Sequence, residues 1–246
     1  LSIRRQRQMC IRDSLYTFSK QRKTLKFDHK ELMTNNGRFS FRNQVWDNMF
    51  WSLASGVTVW SLYEAALMWG FANGYGFMFE FADNPFWFIA LFILLPFWQA
   101  FAFYWIHRAL HWPPLYRIAH AVHHRNTNIG PWSGNSMHPI EHILWLSSVL
   151  IHWVIVSHPI HVLFFQQSQV ISAITNHSGF ESIIVRDKNR LAMGDFFHQL
   201  HHRYYECNYG SIETHWDKVF GTFHDGTEEG LEITRRRKKE MHQKIL

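Results

Sequence analysis

The stretch FYWIHRALHWPPLYRIAHAVHHRN, residues 103–126, decides how this chain is read. It carries HRALH (107–111) and HAVHH (120–124), and a third cluster, HQLHH, follows at 198–202. On helices, His107 and His111 lie one turn apart. Each HxxHH triplet sets three imidazoles on one stripe, because positions i, i+3 and i+4 share a helical face. Neutral imidazole ligates borderline metals such as iron, copper and zinc. About four or five nitrogens saturate one ion, so eight or more converging histidines predict two metals. A pair such as HRALH is common on interfacial helices; the weight lies in the combination, since three imidazoles on one stripe near a membrane would otherwise each need a separate hydrogen-bond partner.

Outward from the clusters the chain is apolar and aromatic, with 12 Trp and 22 Phe among 246 residues and a formal net charge of +6. Mean hydropathy is slightly negative only because polar ends dilute the middle. From Phe86 to Ile106 there is no Asp, Glu, Lys or Arg, which is enough chain to cross a bilayer core of roughly 30 Å. A second stretch, Met49 to Phe79, holds Glu64 as its one charged residue and fits a single interrupted or tilted span. A third, His142 to Phe180, is divided by SHPIH (157–161) into arms Ile143–Val156 and Val162–Ile174, a helical hairpin of two short spans. The expected architecture is all-α, about four transmembrane helices with a helical cap carrying the histidines.

Lys and Arg orient such spans, because they are retained on the cytoplasmic side. Lys20, Arg22, Lys23, Lys26, Lys30, Arg38 and Arg42 precede the first span, Arg108, Arg117 and Arg125 lie in the histidine-rich segment, and eleven basic residues follow Phe180. The link 73–84 and the SHPIH turn have none. Both termini and every histidine cluster are therefore expected in the cytoplasm, with a bacterial cytoplasmic membrane as the expected location. The RRRKK run (235–239) reads as a solvated tail beside acidic lipids rather than a nucleic-acid site.

Residues 1–14 resemble translated adapter read-through and are set aside. The remainder divides into a cytoplasmic segment (15–48), a membrane-embedded domain (49–227) and a basic tail (228–246). With residues 1–14 set aside, Cys207 is the one remaining cysteine, so no intrachain disulfide framework is expected, which suits a reducing compartment. There is no phosphate loop and no dinucleotide fingerprint.

Single histidines are weaker candidates. His177, in NHSG, ends the apolar hairpin on the same side as the clusters and is expected to ligate. His138, in SMHPIEH with Glu141 one turn along, is a ligand candidate or a partner of that carboxylate. His142 is a poorer one. His152, His158 and His161 read as packing or interfacial residues, and His29, His215, His224 and His242 as residues in polar surroundings without special roles. Trp132, in PWSG, reads either as lining a substrate mouth or as an interfacial anchor.

The 103–126 stretch, together with FFHQLHHRYYECNYGSIETHWDKVFGTFHDGT (196–227), NHSG and MHPIE, resembles the fatty acid hydroxylase and sterol desaturase superfamily over roughly residues 101–227. His215, where many relatives carry an apolar residue, departs from the pattern. The resemblance implies a membrane-bound, non-haem di-iron oxygenase that uses O2 and two electrons on a carbon–hydrogen bond of a lipid, sterol-like or fatty acyl. By that analogy His107, His111, His120, His123, His124, His177, His198, His201 and His202 bind two iron ions, and electrons arrive from a separate carrier such as a ferredoxin or a cytochrome with its reductase. Zinc, which is redox-silent, does not serve such chemistry. A carotenoid hydroxylase and an alkylglycerol monooxygenase are the neighbouring readings; a zinc-binding or zinc-transporting membrane protein is the non-enzyme one.

Overall fold

The structure is a computed structural model that describes residues 33–180, 182–185, 188–192, 194–211 and 215–245. The segment expected to be read-through, His29, and the basic residues Lys20 to Lys30 lie outside the described residues.

The first helix, α1 (Gln44–Phe50), begins where the Asn43 carboxamide accepts the backbone N–H groups of Val45 and Trp46 at 2.9 and 3.2 Å. These are donors that the first turn of a helix leaves unpaired. The run continues through a π-helical stretch, Trp51–Val57, into α2 (Thr58–Ala72). The interruption expected between 49 and 79 is thus a change of helical pitch, and the helix stops at Ala72 rather than Phe79.

Asn84 caps α3 (Pro85–Leu110) and Pro85 occupies its first turn, where a missing N–H costs nothing. Its 26 residues give a rod of about 39 Å. Among the described residues it is the one helix long and apolar enough to cross a membrane. Its outer face is bare: Phe86 is 82 % exposed, Ile93 62 % and Phe97 61 %. A contiguous apolar face of this kind suits lipid rather than water. The inner face sends Leu91 and Leu95 into a core with Leu67, Phe71, Val149, Val162 and Phe165.

After α3 come α4 (Pro113–Leu115), a π-helical turn (Tyr116–His120) and α5 (Ala121–His124). A 3-10 turn, Pro131–Asn135, leads to the hairpin of α6 (Pro139–Leu146), which runs on as 3-10 helix Ser147–Trp153, and α7 (Pro159–Asn176). Both hairpin helices start at His-Pro. His138 Nδ1 accepts from the Ile140 N–H at 3.3 Å and His158 Nδ1 from the Ile160 N–H at 3.1 Å, so each histidine is a helix cap.

The two connections without Lys or Arg meet at one end of the bundle. The Ser157 N–H donates to the Phe77 carbonyl at 2.9 Å, and the Trp87 indole N–H donates to the Val156 carbonyl at 2.9 Å. His107, near the C-terminus of α3, and His177, just past α7, lie at the opposite end.

The expectation of an all-α chain needs one correction. An antiparallel hairpin, β1 (Ser182–Val185) with β2 (Lys188–Ala192), precedes the third cluster. Ile183, Ile184 and Val185 are β-branched, and such residues favour extended chain over helix. The remaining helices are α8 (Asp195–Tyr204), α9 (Trp216–Val219) and α10 (Glu228–Ile245), which carries the RRRKK run.

The turn at 208–210 is tied to α9 by one carboxylate. Asp217 accepts from the N–H of Tyr209 and of Gly210, each at 2.8 Å, and from the Thr222 hydroxyl at 2.6 Å. Asp217 is 1 % exposed, so removing it orphans two buried N–H groups, each costing about 1–3 kcal/mol. Asp217→Ala is therefore expected to lower stability by about 2–5 kcal/mol, read as a fall in thermal midpoint; an unchanged midpoint would refute this role.

Candidate metal centre

Helix spacing and the π-turn together bring nine histidines to one place. Five of them, His107, His111, His120, His124 and His201, form one buried group, and His123, His177, His198 and His202 form a second. Within each group the candidate ligand nitrogens lie within 4.8 Å of one another. The triplets do not act as units: His120 and His124, at i and i+4, join the first group while His123 joins the second. In the third cluster the sense is reversed, His198 and His202 joining the second group and His201 the first. Each HxxHH triplet thereby bridges both groups, which lie side by side, whereas His107 and His111 of HRALH both join the first.

The ring nitrogens of each group converge to hydrogen-bonding distance. His111 Nε2 lies 3.1 Å from His120 Nε2 and 3.2 Å from both His124 Nε2 and His201 Nε2; His177 Nε2 lies 3.0 Å from His202 Nε2 and 3.2 Å from His198 Nε2. A cation about 2.1 Å from each nitrogen gives nitrogen–nitrogen edges of about 3.0 Å at right angles and about 3.4 Å at tetrahedral angles.

Tautomers sharpen the point. His107 Nδ1 faces the Tyr209 carbonyl at 2.7 Å, His201 Nδ1 the Cys207 carbonyl at 2.6 Å, His177 Nδ1 the Ala173 carbonyl at 2.8 Å and His120 Nδ1 the Glu141 carboxylate at 2.7 Å. A carbonyl only accepts, so in the first three rings Nδ1 carries the hydrogen, and the Glu141 contact favours the same form in His120. Nε2 is then left as a bare lone pair. Lone pairs that point at one another in a dry interior call for a cation, and the donor set of neutral imidazoles, oriented by carbonyls and a carboxylate, fits one per group. Burial, reinforced by the neighbouring imidazoles, holds His111, His120, His123, His124, His198, His201 and His202 well below the usual imidazole range. They are neutral near pH 7, as ligation requires.

Of the ten candidates, His138 alone stands apart, because capping α6 occupies it. The carboxylate expected to partner it, Glu141, turns instead to His120. His142, His152 and His161 bond to Ser55, Ser157 and the Phe88 carbonyl, away from both groups. The orienting carbonyls of Tyr209, Cys207 and Ala173 were invisible to motif reading, since any residue supplies a carbonyl. The Asn208–Gly210 turn and Asp217 act structurally, setting the carbonyl that holds His107. His224, expected in polar surroundings, is 1 % exposed, and its backbone N–H donates to the Asn208 carboxamide oxygen at 2.8 Å.

A cavity of about 360 Å³ opens beneath both groups. Its roof includes His107 and His120 of the first and His123, His177 and His198 of the second; its walls include α3, α6 and α7. Gly134 closes it on one side. A Cβ there would overlap the Ala173 carbonyl, the same carbonyl that orients His177. Gly134→Ala is expected to cost about 1–3 kcal/mol by overpacking and to loosen the second group, measured as weakened retention of one metal ion. Unaltered metal retention would sink that link.

Comparison with known proteins follows the geometry. The fatty acid hydroxylase profile matches residues 92–222, more than half of the chain. A Delta(7)-sterol 5(6)-desaturase of Aspergillus fumigatus is 28 % identical over 184 residues, 70 % of this chain and 49 % of that protein. The Delta(7)-sterol 5(6)-desaturase of Saccharomyces cerevisiae is 30 % identical over 125 residues, 49 % of this chain and 32 % of its own length. A methylsterol monooxygenase of Aspergillus fumigatus is 32 % identical over 126 residues, 48 % of this chain and 42 % of its own. The chain thus spans about half, or less, of the length of these relatives. All three are fungal, which gives no support to the expectation of a bacterial membrane. No solved structure matches.

Proposed function

Because this chain belongs to the fatty acid hydroxylase family, we propose that it is a membrane-bound oxidoreductase that hydroxylates or desaturates a lipid, with two iron ions held by the nine converging histidines. The observation that carries the reading is the pair of buried imidazole groups whose lone pairs face one another above an apolar cavity. The names of the relatives, sterol desaturases and a methylsterol monooxygenase, favour a sterol-like substrate over other lipids. When bound, iron in nitrogen ligation with open positions supplies the oxidising power that an unactivated carbon–hydrogen bond needs.

The chain's own groups do the rest. His107, His111, His120, His124 and His201 take one ion, and His123, His177, His198 and His202 the other. Glu141 and the carbonyls of Tyr209, Cys207 and Ala173 fix ring orientation, a role worth about 10–100-fold in metal affinity at comparable sites. The cavity excludes water and holds the lipid against the ligand layer, where sub-ångström placement decides between alcohol and alkene. Electrons come from a separate carrier.

The topology we propose has four spans: 49–72, α3, and the two arms of the hairpin. The histidine end is cytoplasmic, because the basic residues gather there and the two connections at the far end lack them. The domain limits 49–227 and 228–246 are part of the same reading. The test is to supply iron-loaded protein in membranes with a reductase, its carrier and a lipid panel. The expected result is O2-dependent gain of an oxygen atom or loss of two hydrogens from one lipid class; zinc sustaining the same turnover would overturn it.

A further inference from the structure

The RRRKK run does not trail free of the fold. Within α10, Leu231 and Thr234 are buried, and the Arg237 guanidinium donates to the Glu206 carbonyl at 3.2 Å. The helix is thereby fastened to the turn that ends α8. One residue on, the Lys238 ammonium lies 5.5 Å from the centre of the Tyr205 ring. That ring stacks on His124, a member of the first histidine group, at 4.8 Å and 28°. Tyr205 is itself partly exposed, so it touches both solvent and the ligand layer. Its φ is +70°, a conformation that a bulky side chain rarely adopts and that gathers at functional sites. Tyr116, also partly exposed, extends the aromatic patch: its ring lies 6.2 Å from that of Tyr205 and 5.7 Å from those of His111 and His124.

Cations flank the patch. Arg235, Lys238 and Lys239 are exposed, and their spacing of three and four residues puts them on one side of α10. Arg38, exposed as well, lies close enough to Tyr116 to act on it electrostatically. Of the nearby acids, Glu240 adjoins the run, and Glu206 is taken up by the Tyr209 hydroxyl at 2.5 Å. Aromatic rings inside a charged rim form the pattern of a protein docking surface, whose charges select and steer the partner. Cations that merely met acidic lipid would need no ring of the metal layer behind them. We infer that this surface docks an acidic one-electron carrier protein, with Tyr205 as the point of contact over the first histidine group. The inference rests on the proposed oxidation, which consumes two electrons from a separate carrier. At each docking the iron–sulfur or haem centre of the carrier loses one electron and a ferric ion in the first group becomes ferrous; no bond forms or breaks, and two dockings supply the pair. Electron transfer weakens steeply with distance, which gives value to a partly exposed ring in contact with a ligand.

The probes are an acidic [2Fe–2S] ferredoxin and an acidic b-type cytochrome, with a basic c-type cytochrome as the control. Affinity is measured on the iron-loaded full chain in nanodiscs of phosphatidylcholine, which carries no net charge. Wild type should bind at least one acidic probe more tightly than the basic one, and salt should weaken that binding by screening the charges. Arg235→Glu with Lys238→Glu should weaken it about tenfold or more at low salt, while metal content per chain stays unchanged. At saturating reduced probe, Tyr205→Leu should slow reduction of the bound iron several-fold, and Tyr205→Phe, which keeps the ring, should restore the rate. Binding of neither acidic probe, equal binding of the basic cytochrome, or an affinity that survives the double charge reversal overturns the inference. So does a reversal whose effect is confined to discs containing phosphatidylserine, which would make the run a lipid contact. A rate that Tyr205→Leu leaves unchanged removes Tyr205 as the point of contact. Lipid left unoxidised when a chemical reductant replaces the carrier would strike instead at the proposed oxidation, because the affinities are read without turnover.

Discussion

Replacing His123 by alanine is expected to abolish lipid oxidation and to lower bound iron from about two ions per chain to about one. His123 belongs to the group of four, so its loss leaves three nitrogens there, while the group of five keeps all of its own. The rings of His123 and His202 lie 4.7 Å apart and those of His123 and His177 5.0 Å apart, so the truncation opens a gap inside the second group alone. His201→Ala should produce the mirror result, emptying the first group. His152→Ala is the control, since that ring bonds Ser157 at 3.0 Å and joins neither group. Full metal and full turnover in the His123 variant would remove it from the centre.

Acid should empty the site over a narrow range. Seven imidazoles outside the spans are held well below their ordinary basicity, chiefly by burial. In the unfolded chain each would take a proton near pH 6.5. Below that pH the unfolded state binds more protons than the folded one, so stability rises with pH there and falls as pH drops. Each such group contributes a slope of up to about 1.4 kcal/mol per pH unit. Set against a total of about 5–15 kcal/mol, seven together exhaust the fold within about two pH units. Metal binding has the same sign, because protons compete for the same lone pairs. Bound iron and helical signal should therefore be full at about pH 7.5 and lost together between about pH 6.5 and pH 5, with more than one proton taken up per ion released. Iron retained unchanged below that range would contradict the assignment of neutral, buried imidazoles.

The helices and the clusters were legible because their signals are local. The uncharged run 86–106 reappears inside α3, and SHPIH separates the two hairpin arms as read. His177 joins the clusters as its place at the end of the hairpin predicted. The division of ligands was not legible. Treating HxxHH as one stripe places three rings together, but the i and i+4 rings converge while the neighbouring ring, displaced by about 100° for each residue, reaches the adjacent group. The π-turn at Tyr116–His120, which sets where the second cluster starts, has no sequence mark of comparable strength. His138 lies outside both groups because its His-Pro step is a helix cap followed by proline in the first turn; His158 repeats the pattern and shows the same geometry.

The central claim is that two ions sit side by side among these rings. Anomalous scattering recorded at the iron edge from the purified, iron-loaded protein addresses it directly. The account predicts two peaks, one within bonding distance of His107, His111, His120, His124 and His201 and the other within reach of His123, His177, His198 and His202. A single peak, or none among these rings, would contradict it.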